Sequence, residues 1–153
     1  MYKIPVSVLV VIHTIDLQVL LLERTDHPNY WQSVTGSQDP GETLYQTAMR
    51  EVLEETGINA ADYSLTDWQV ENQYEIYEEW RWRYAPDVKF NTEHVFGLCL
   101  SGITPVKIAA REHLNYIWLP WQQADKQVFS SSNAEAILNL PVLCTNCLTN
   151  NNP

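Results

Sequence analysis

Basic residues are scarce in this 153-residue chain: nine Lys and Arg stand against nineteen Asp and Glu, for a formal charge of −10. Phosphate backbones recruit Lys and Arg, so this balance argues against a nucleic-acid polymer as the main partner. It leaves room for a small phosphorylated molecule, because divalent cations can bridge acidic side chains to phosphate oxygens. Cysteine is scarce too. Cys99, Cys144 and Cys147 are odd in number and suggest no disulfide framework. Cys144 and Cys147 form a CxxC, but no second pair completes a tetrahedral zinc site, and His94 and His113 lack ligand spacing. The pair therefore reads as incidental reduced thiols. No apolar run approaches the ~20 residues needed to span a bilayer. Ile4 to Ile12 has little basic flank and no small-residue cleavage site, so it reads as a buried strand rather than a signal-peptide core. The cytoplasm is the expected compartment. With no internal repeat, Gly/Ser linker or long charge run, one domain is expected over residues 1–140. The Asn- and Thr-rich tail, 141–153, is expected to be poorly ordered at its end.

What is present begins with strands. Pro5 to His13 is β-branched and almost continuously apolar, the pattern of a central strand buried on both faces. Val19 to Glu23 forms a second strand, and Trp31 to Thr35 is short and extended. Asp39-Pro40-Gly41 is a strong turn signal within the loop from Gly36 to Glu42. A helix is expected from about Thr43 to Thr56, anchored by Leu44, Ala48 and Val52 on one stripe. Leu65 to Val70, Gln73 to Tyr84, Thr92 to Leu100 and Asn115 to Leu119 are further strand candidates. Trp80 and Trp82 fall on one parity of the second. Pro120 to Val128 and Asn133 to Leu140 should be short helices. The class is α+β.

Within the long helix, Glu51, Glu54 and Glu55 fall at i, i+3 and i+4 and so share one side. Carboxylates this crowded repel one another unless a cation lies among them. Taken alone, they describe a solvated acidic helix face. Their context argues otherwise. Gly36, Glu42, Arg50, Glu51, Val52, Glu54, Glu55, Gly57 and Ile58 match G-x5-E-x7-R-E-U-x-E-E-x-G-U, where U is aliphatic. Average residue usage gives that match a chance probability on the order of 10⁻¹⁰ per starting position. The segment resembles the box of the Nudix hydrolase superfamily, complete and without a departure.

The resemblance implies a mixed β-sheet sandwiched between α-helices, with the box forming a loop-helix-loop at the site. It also implies a metal-dependent hydrolase. In that reading Glu51 and Glu55 are principal metal ligands. Glu54 shares the metal or accepts a proton from the attacking water, and Arg50 orients a glutamate. Oxygen-rich ligation of this kind suits Mg²⁺ or Mn²⁺. Gly36 and Gly41 allow close approach or positive φ in the loop, Gly57 stops the helix, and Glu42 holds the loop rather than a metal. A further acid often enters such sites from outside the box. Glu112 is the leading candidate, ahead of Glu75, Glu78, Glu79 and Glu93.

The opening KIPVSVLVVI, the stretch WQSVTGS, and RWRYAP with EHLNYIWL resemble one branch of the superfamily: bacterial enzymes that act on dihydroneopterin triphosphate in folate synthesis. That branch implies loss of pyrophosphate to leave the monophosphate. It points to Lys3, Arg24 and Thr35 as contacts for the triphosphate and the loop entrance. Tyr74, Glu75, Ile76 and Tyr77 align with a segment that would hold the flat ring, and Ser130 is a further contact. The expected partner is thus a small-molecule triphosphate, pterin or nucleotide, with no nucleic-acid polymer and no membrane; the sequence is silent on oligomeric state. Two rivals remain: a Nudix pyrophosphohydrolase acting on a nucleotide sugar or on a (deoxy)nucleoside triphosphate such as dATP, and a non-catalytic nucleotide-binding module. The second should have lost box acids, and every one is present.

Overall fold

The computed structural model describes residues 1–144. Nine residues of β1 (Val6–Thr14) run through the middle of a seven-stranded mixed sheet, and all but the first are buried. Its even-numbered side chains Val8, Val10 and Ile12 enter one apolar cluster, and Leu9 and Val11 enter another on the opposite face. This two-sided burial is why the strand lacks polar alternation.

β1 pairs in parallel with β6 (Phe90–Leu100) along its whole length. On its other edge the first half of β1 pairs with β4 (Val34–Ser37), and near its end His13 pairs with Val19 of β2 (Gln18–Arg24). The central path is β3-β2-β1-β6-β5, where β3 is Trp31–Gln32 and β5 is Ser64–Glu75; β7 (His113–Pro120) pairs with β2. α1 (Leu44–Thr56) covers one face, placing Ala48 and Val52 against Val10, Phe96 and Leu98. α2 (Trp121–Gln127) and α3 (Ser131–Leu138) cover the other through Ala124, Ala136 and Ile137. The mixed sheet between helices agrees with expectation.

One element departs from it. The side chains of Gln73 to Tyr84 predict a single strand, yet β5 ends at Glu75 and Glu78–Arg83 forms a 3₁₀ turn. The last pair of the β5–β6 ladder is Glu75 with Phe90; after one further bond, from the Ile76 N–H to the Lys89 carbonyl, the chain meets no partner strand among the described residues. Trp80 and Trp82 accordingly leave their common parity: Trp80 turns over Arg24, whereas Trp82 is 73% exposed. The candidates at 65–70 and from residue 73 are instead one strand, broken by a register shift between Asp67 and Val70. Residues 140–144 continue helically after α3. The rest of the expected tail, including Cys147, lies outside the described residues. Among the described residues no helix is long and apolar enough to cross a membrane.

Candidate active site

α1 delivers the acids, and both of its ends are fixed locally. Thr43 accepts from the Gln46 backbone N–H at 3.1 Å while Gln46 accepts from the Thr43 N–H at 2.9 Å, a reciprocal cap. Gly57 closes the helix at φ +74°, its N–H donating to the Leu53 carbonyl at 2.9 Å. Between these ends Glu51 and Glu55 turn inward and are 8% and 2% exposed, whereas Glu54 faces solvent.

β4 brings the loop backbone directly onto the first of these carboxylates. A Cβ on Gly36 would lie 2.1 Å from the Glu51 Cδ, so only glycine admits the side chain there. Gly41 meets the other need of the loop, a positive φ of +83°. Arg50 organises the polar side of the site. It donates from Nε and Nη2 to the two Glu42 oxygens at 2.7 and 2.9 Å, and from Nη1 to Glu51 at 2.8 Å and Glu54 at 3.3 Å. Glu42 also accepts from the Asp39 backbone N–H and the Thr47 hydroxyl. With both oxygens committed, Glu42 ties the loop to α1, and the Arg50 fork holds its carboxyl down at about 2.

The buried acids behave in the opposite way. Desolvation pushes Glu51 up to about 7, opposed by Arg50 and reinforced by Glu54 and Glu112. Glu55 is raised well above the usual carboxylate range, first by burial and then by Glu51 and Glu112. Glu55 Oε2 has no hydrogen-bond partner among the described residues. A buried, unsatisfied carboxylate oxygen beside further acids is a donor set that a hard divalent cation fits.

Glu112, expected from outside the box, is brought here from the turn before β7. It is exposed, and ligand atoms of Glu55, Glu112 and His113 lie within 4.8 Å of one another. His113, which lacks ligand spacing in the sequence, is buried with Nε2 3.7 Å from Glu55 Oε1. Burial and then Arg24 pull His113 down to about 4, so near neutral pH the contact is polar rather than ionic. Its signal in the sequence was only its place beside Glu112. Of the weaker acid candidates, Glu75 pairs with Arg81 and Glu79 meets His27 at 3.3 Å. Glu78 lies in the same 3₁₀ turn, and Glu93 is buried and lines a cavity beside the site.

A cavity of about 410 Å³ opens above the acids, lined by Glu51, Glu55, Glu112, Lys3, Arg24, Thr35, Tyr74, Ile76 and Tyr77 among others. A second, of about 310 Å³, adjoins it and shares Arg24, Thr35, Tyr74, Tyr77 and Trp80; Glu75 and Ser130 lie on this one. Lys3 stands at the mouth, its ammonium pKa lowered by desolvation and by Arg83. Arg24 is held by two 2.7 Å hydrogen bonds to Asp26, and its guanidinium lies 4.7 Å from the Trp80 ring centre. The Thr35 hydroxyl donates to the Val8 carbonyl at 3.0 Å, which turns it toward β1. Tyr74 takes a hydrogen bond from Asn91 at 3.1 Å, and Tyr77 packs 5.1 Å from Trp80. Ile76 is buried, while Ser130 accepts from the Asn133 N–H and caps α3. Trp80, Arg83 and Tyr84 also line the first cavity. A strand over residues 73–84 would hold them apart; their convergence depends on the turn.

A profile of the NUDIX domain matches residues 3–140. The dihydroneopterin triphosphate diphosphatase of Escherichia coli strain K12 is 48% identical over 139 residues, covering 89% of this chain and 91% of that protein. The Haemophilus influenzae protein of the same name is 40% identical, with 89% and 87% covered. Among solved structures, the E. coli dihydroneopterin triphosphate pyrophosphohydrolase superposes with a TM-score of 0.83 at 46% identity, covering 90% of this chain and 94% of that one.

Proposed function

This chain belongs to the NUDIX domain family, and we propose that it hydrolyses dihydroneopterin triphosphate to the monophosphate and pyrophosphate. The observation that carries this reading is the meeting of three features in one cavity: buried acids, cationic side chains and an aromatic wall. The substrate comes from the relatives of that name, which match along most of their length. Family members generally use divalent metal ions and act on small-molecule phosphates. Mg²⁺ is the ion assigned here, with Mn²⁺ as its substitute, and the cytoplasm is taken as the compartment.

Glu51, Glu55 and Glu112 would hold the metal, with Glu54 at the exposed edge. When bound, the ion neutralises phosphate charge and acidifies a coordinated water. Lys3 and Arg24 grip the triphosphate oxygens, and the Asp26 fork keeps Arg24 aimed before substrate arrives. Tyr74, Tyr77 and Trp80 receive the flat ring, while Glu75 and Ser130 offer polar contacts in the adjoining cavity. Arg50 fixes Glu51 in place, and Glu54, held at 3.3 Å by the same guanidinium, would share the metal or take the proton of the attacking water.

The test is kcat/KM for dihydroneopterin triphosphate and dATP side by side with Mg²⁺, followed by product analysis in ¹⁸O water. A strong pterin preference with pyrophosphate released is expected. A preference for dATP would overturn the substrate assignment, and absence of turnover on both would overturn the enzymatic reading.

A further inference from the structure

The face of the sheet that carries α2 and α3 continues past its apolar cluster into a polar group that the hydrolytic site does not use. His13 follows Leu9 and Val11 on the same parity of β1, and its register partner on β6 is Cys99. Cys144 comes in from the helical segment after α3, four residues beyond the buried Leu140. One ligating atom from each of His13, Cys99 and Cys144 lies within 4.8 Å of the other two. His13 and Cys144 are buried and Cys99 is partly so. The sequence paired Cys144 with Cys147; the fold sets it beside a histidine and a cysteine some 130 and 45 positions away.

We infer that His13, Cys99 and Cys144 form a second metal site, selective for a thiophilic ion of the Zn²⁺ class and separate from the carboxylate centre. Two thiolates and one imidazole are the donor chemistry of such ions, whereas Mg²⁺ requires oxygen. The present separations need only modest contraction around a tetrahedral ion. The imidazole is already arranged for the task. Its Nδ1 lies 3.0 Å from the Thr14 carbonyl, and the tautomer that donates there leaves Nε2 with its lone pair. Burial lowers the His13 pKa and keeps the ring neutral, the form that ligates. Trp68, whose ring lies where a Cβ on Gly97 would stand, stacks on His13 at 6.2 Å and limits its rotation. Gly36, which packs against Glu51, pairs with Val8, five strand residues from His13. At strand rise that is roughly 16 Å, too far for one ion to serve both sites. The ion would pin the segment after α3 to the ends of β1 and β6, coupling metal binding to the stability of the C-terminal part of the domain.

The experiment is titration of the reduced, metal-free full chain with Co²⁺ as a spectroscopic probe, then with Zn²⁺. One equivalent should give sulfur-to-cobalt charge-transfer absorption and tetrahedral visible bands, both displaced by Zn²⁺. E51Q and E55Q should keep the bands, which separates this site from the hydrolytic one. C99S and C144S should abolish the charge transfer, and H13Q should weaken binding about tenfold or more. In the wild type, where no variant has to fold, Zn²⁺ should slow modification of the thiols by a disulfide reagent and raise Tm. Absence of charge-transfer absorption, or thiols equally reactive with and without Zn²⁺, overturns the site.

Discussion

At Gly36 the loop and the helix meet so closely that a single methyl group decides the outcome. Gly36→Ala must displace the Glu51 carboxylate, since no position for the new carbon clears it. A misplacement of ~1 Å at such a site costs about 100-fold in rate, so kcat should fall by about that factor while thermal stability changes little. Glu51→Gln and Glu55→Gln should each lower kcat roughly 100-fold or more, beyond the usual effect of residues that merely support a metal ligand. Their Tm in metal-free buffer should hold or rise, most clearly at alkaline pH, because an amide stays neutral in the buried site at every pH whereas each carboxyl must keep a proton to do so. Near-normal turnover in both variants would take them out of the metal site. Arg24→Ala should act mainly on KM if the guanidinium grips ground-state phosphate, and a loss confined to kcat would contradict that role. Glu51 and Glu55 were legible from the complete box around them rather than from spacing alone, which equally describes the solvated side that Glu54 takes. Their burial was not. Whether a helix face looks into solvent or into a cleft depends on what packs above it, here β4 and the turn before β7.

Helix α1 as an element depends on its ends. Thr43→Ala removes one half of the reciprocal cap and should cost about 1 kcal/mol in urea unfolding. Gly57→Ala forces a side chain into positive φ with the Lys107 Cβ only 3.3 Å away, and should cost about 1–2 kcal/mol. If both variants unfold at the wild-type midpoint, the ends do not set the helix. Helix bounds could be read because the turn at Asp39-Pro40-Gly41 and the stop at Gly57 are local signals; the Thr43–Gln46 cap that fixes the start is a finding of the structure. The end of β5 could not be read, since QYEIYEEWRWRY carries strand-forming side chains throughout. Its fate was set by a partner strand that begins only at Phe90. The same limit applied to Trp80 and Arg83, which line the cavity only because the ladder stops.

For the whole molecule, pH acts in two directions. Glu42 sits at about 2 in the folded chain against an ordinary value near 4.5, so it favours folding above the unfolded value. That contribution should vanish as pH falls from about 4.5 to about 2. Tm measured across this window should drop more steeply in the wild type than in Glu42→Gln, and the two should converge at the acid end. Glu51 runs the other way. Folded, it retains its proton up to about 7, and unfolded it releases it near 4.5. Its contribution to metal-free stability therefore falls as pH rises through that window. Mg²⁺ binding, which needs the ionised form, should raise Tm more at pH 8 than at pH 6; an equal rise at both would sink the assignment of these acids.

The sequence by itself determined the α+β class, the central strand, the bounds of the acidic helix and the family, because each is written in residues near one another in the chain. Only the tertiary structure decided which acid from outside joined the box, that His113 stands beside it, that a 3₁₀ turn supplies one cavity wall, and that His13, Cys99 and Cys144 meet. Those are encounters between segments tens of residues apart, and strand pairing and burial, which set them, leave no spacing that a linear reading can count.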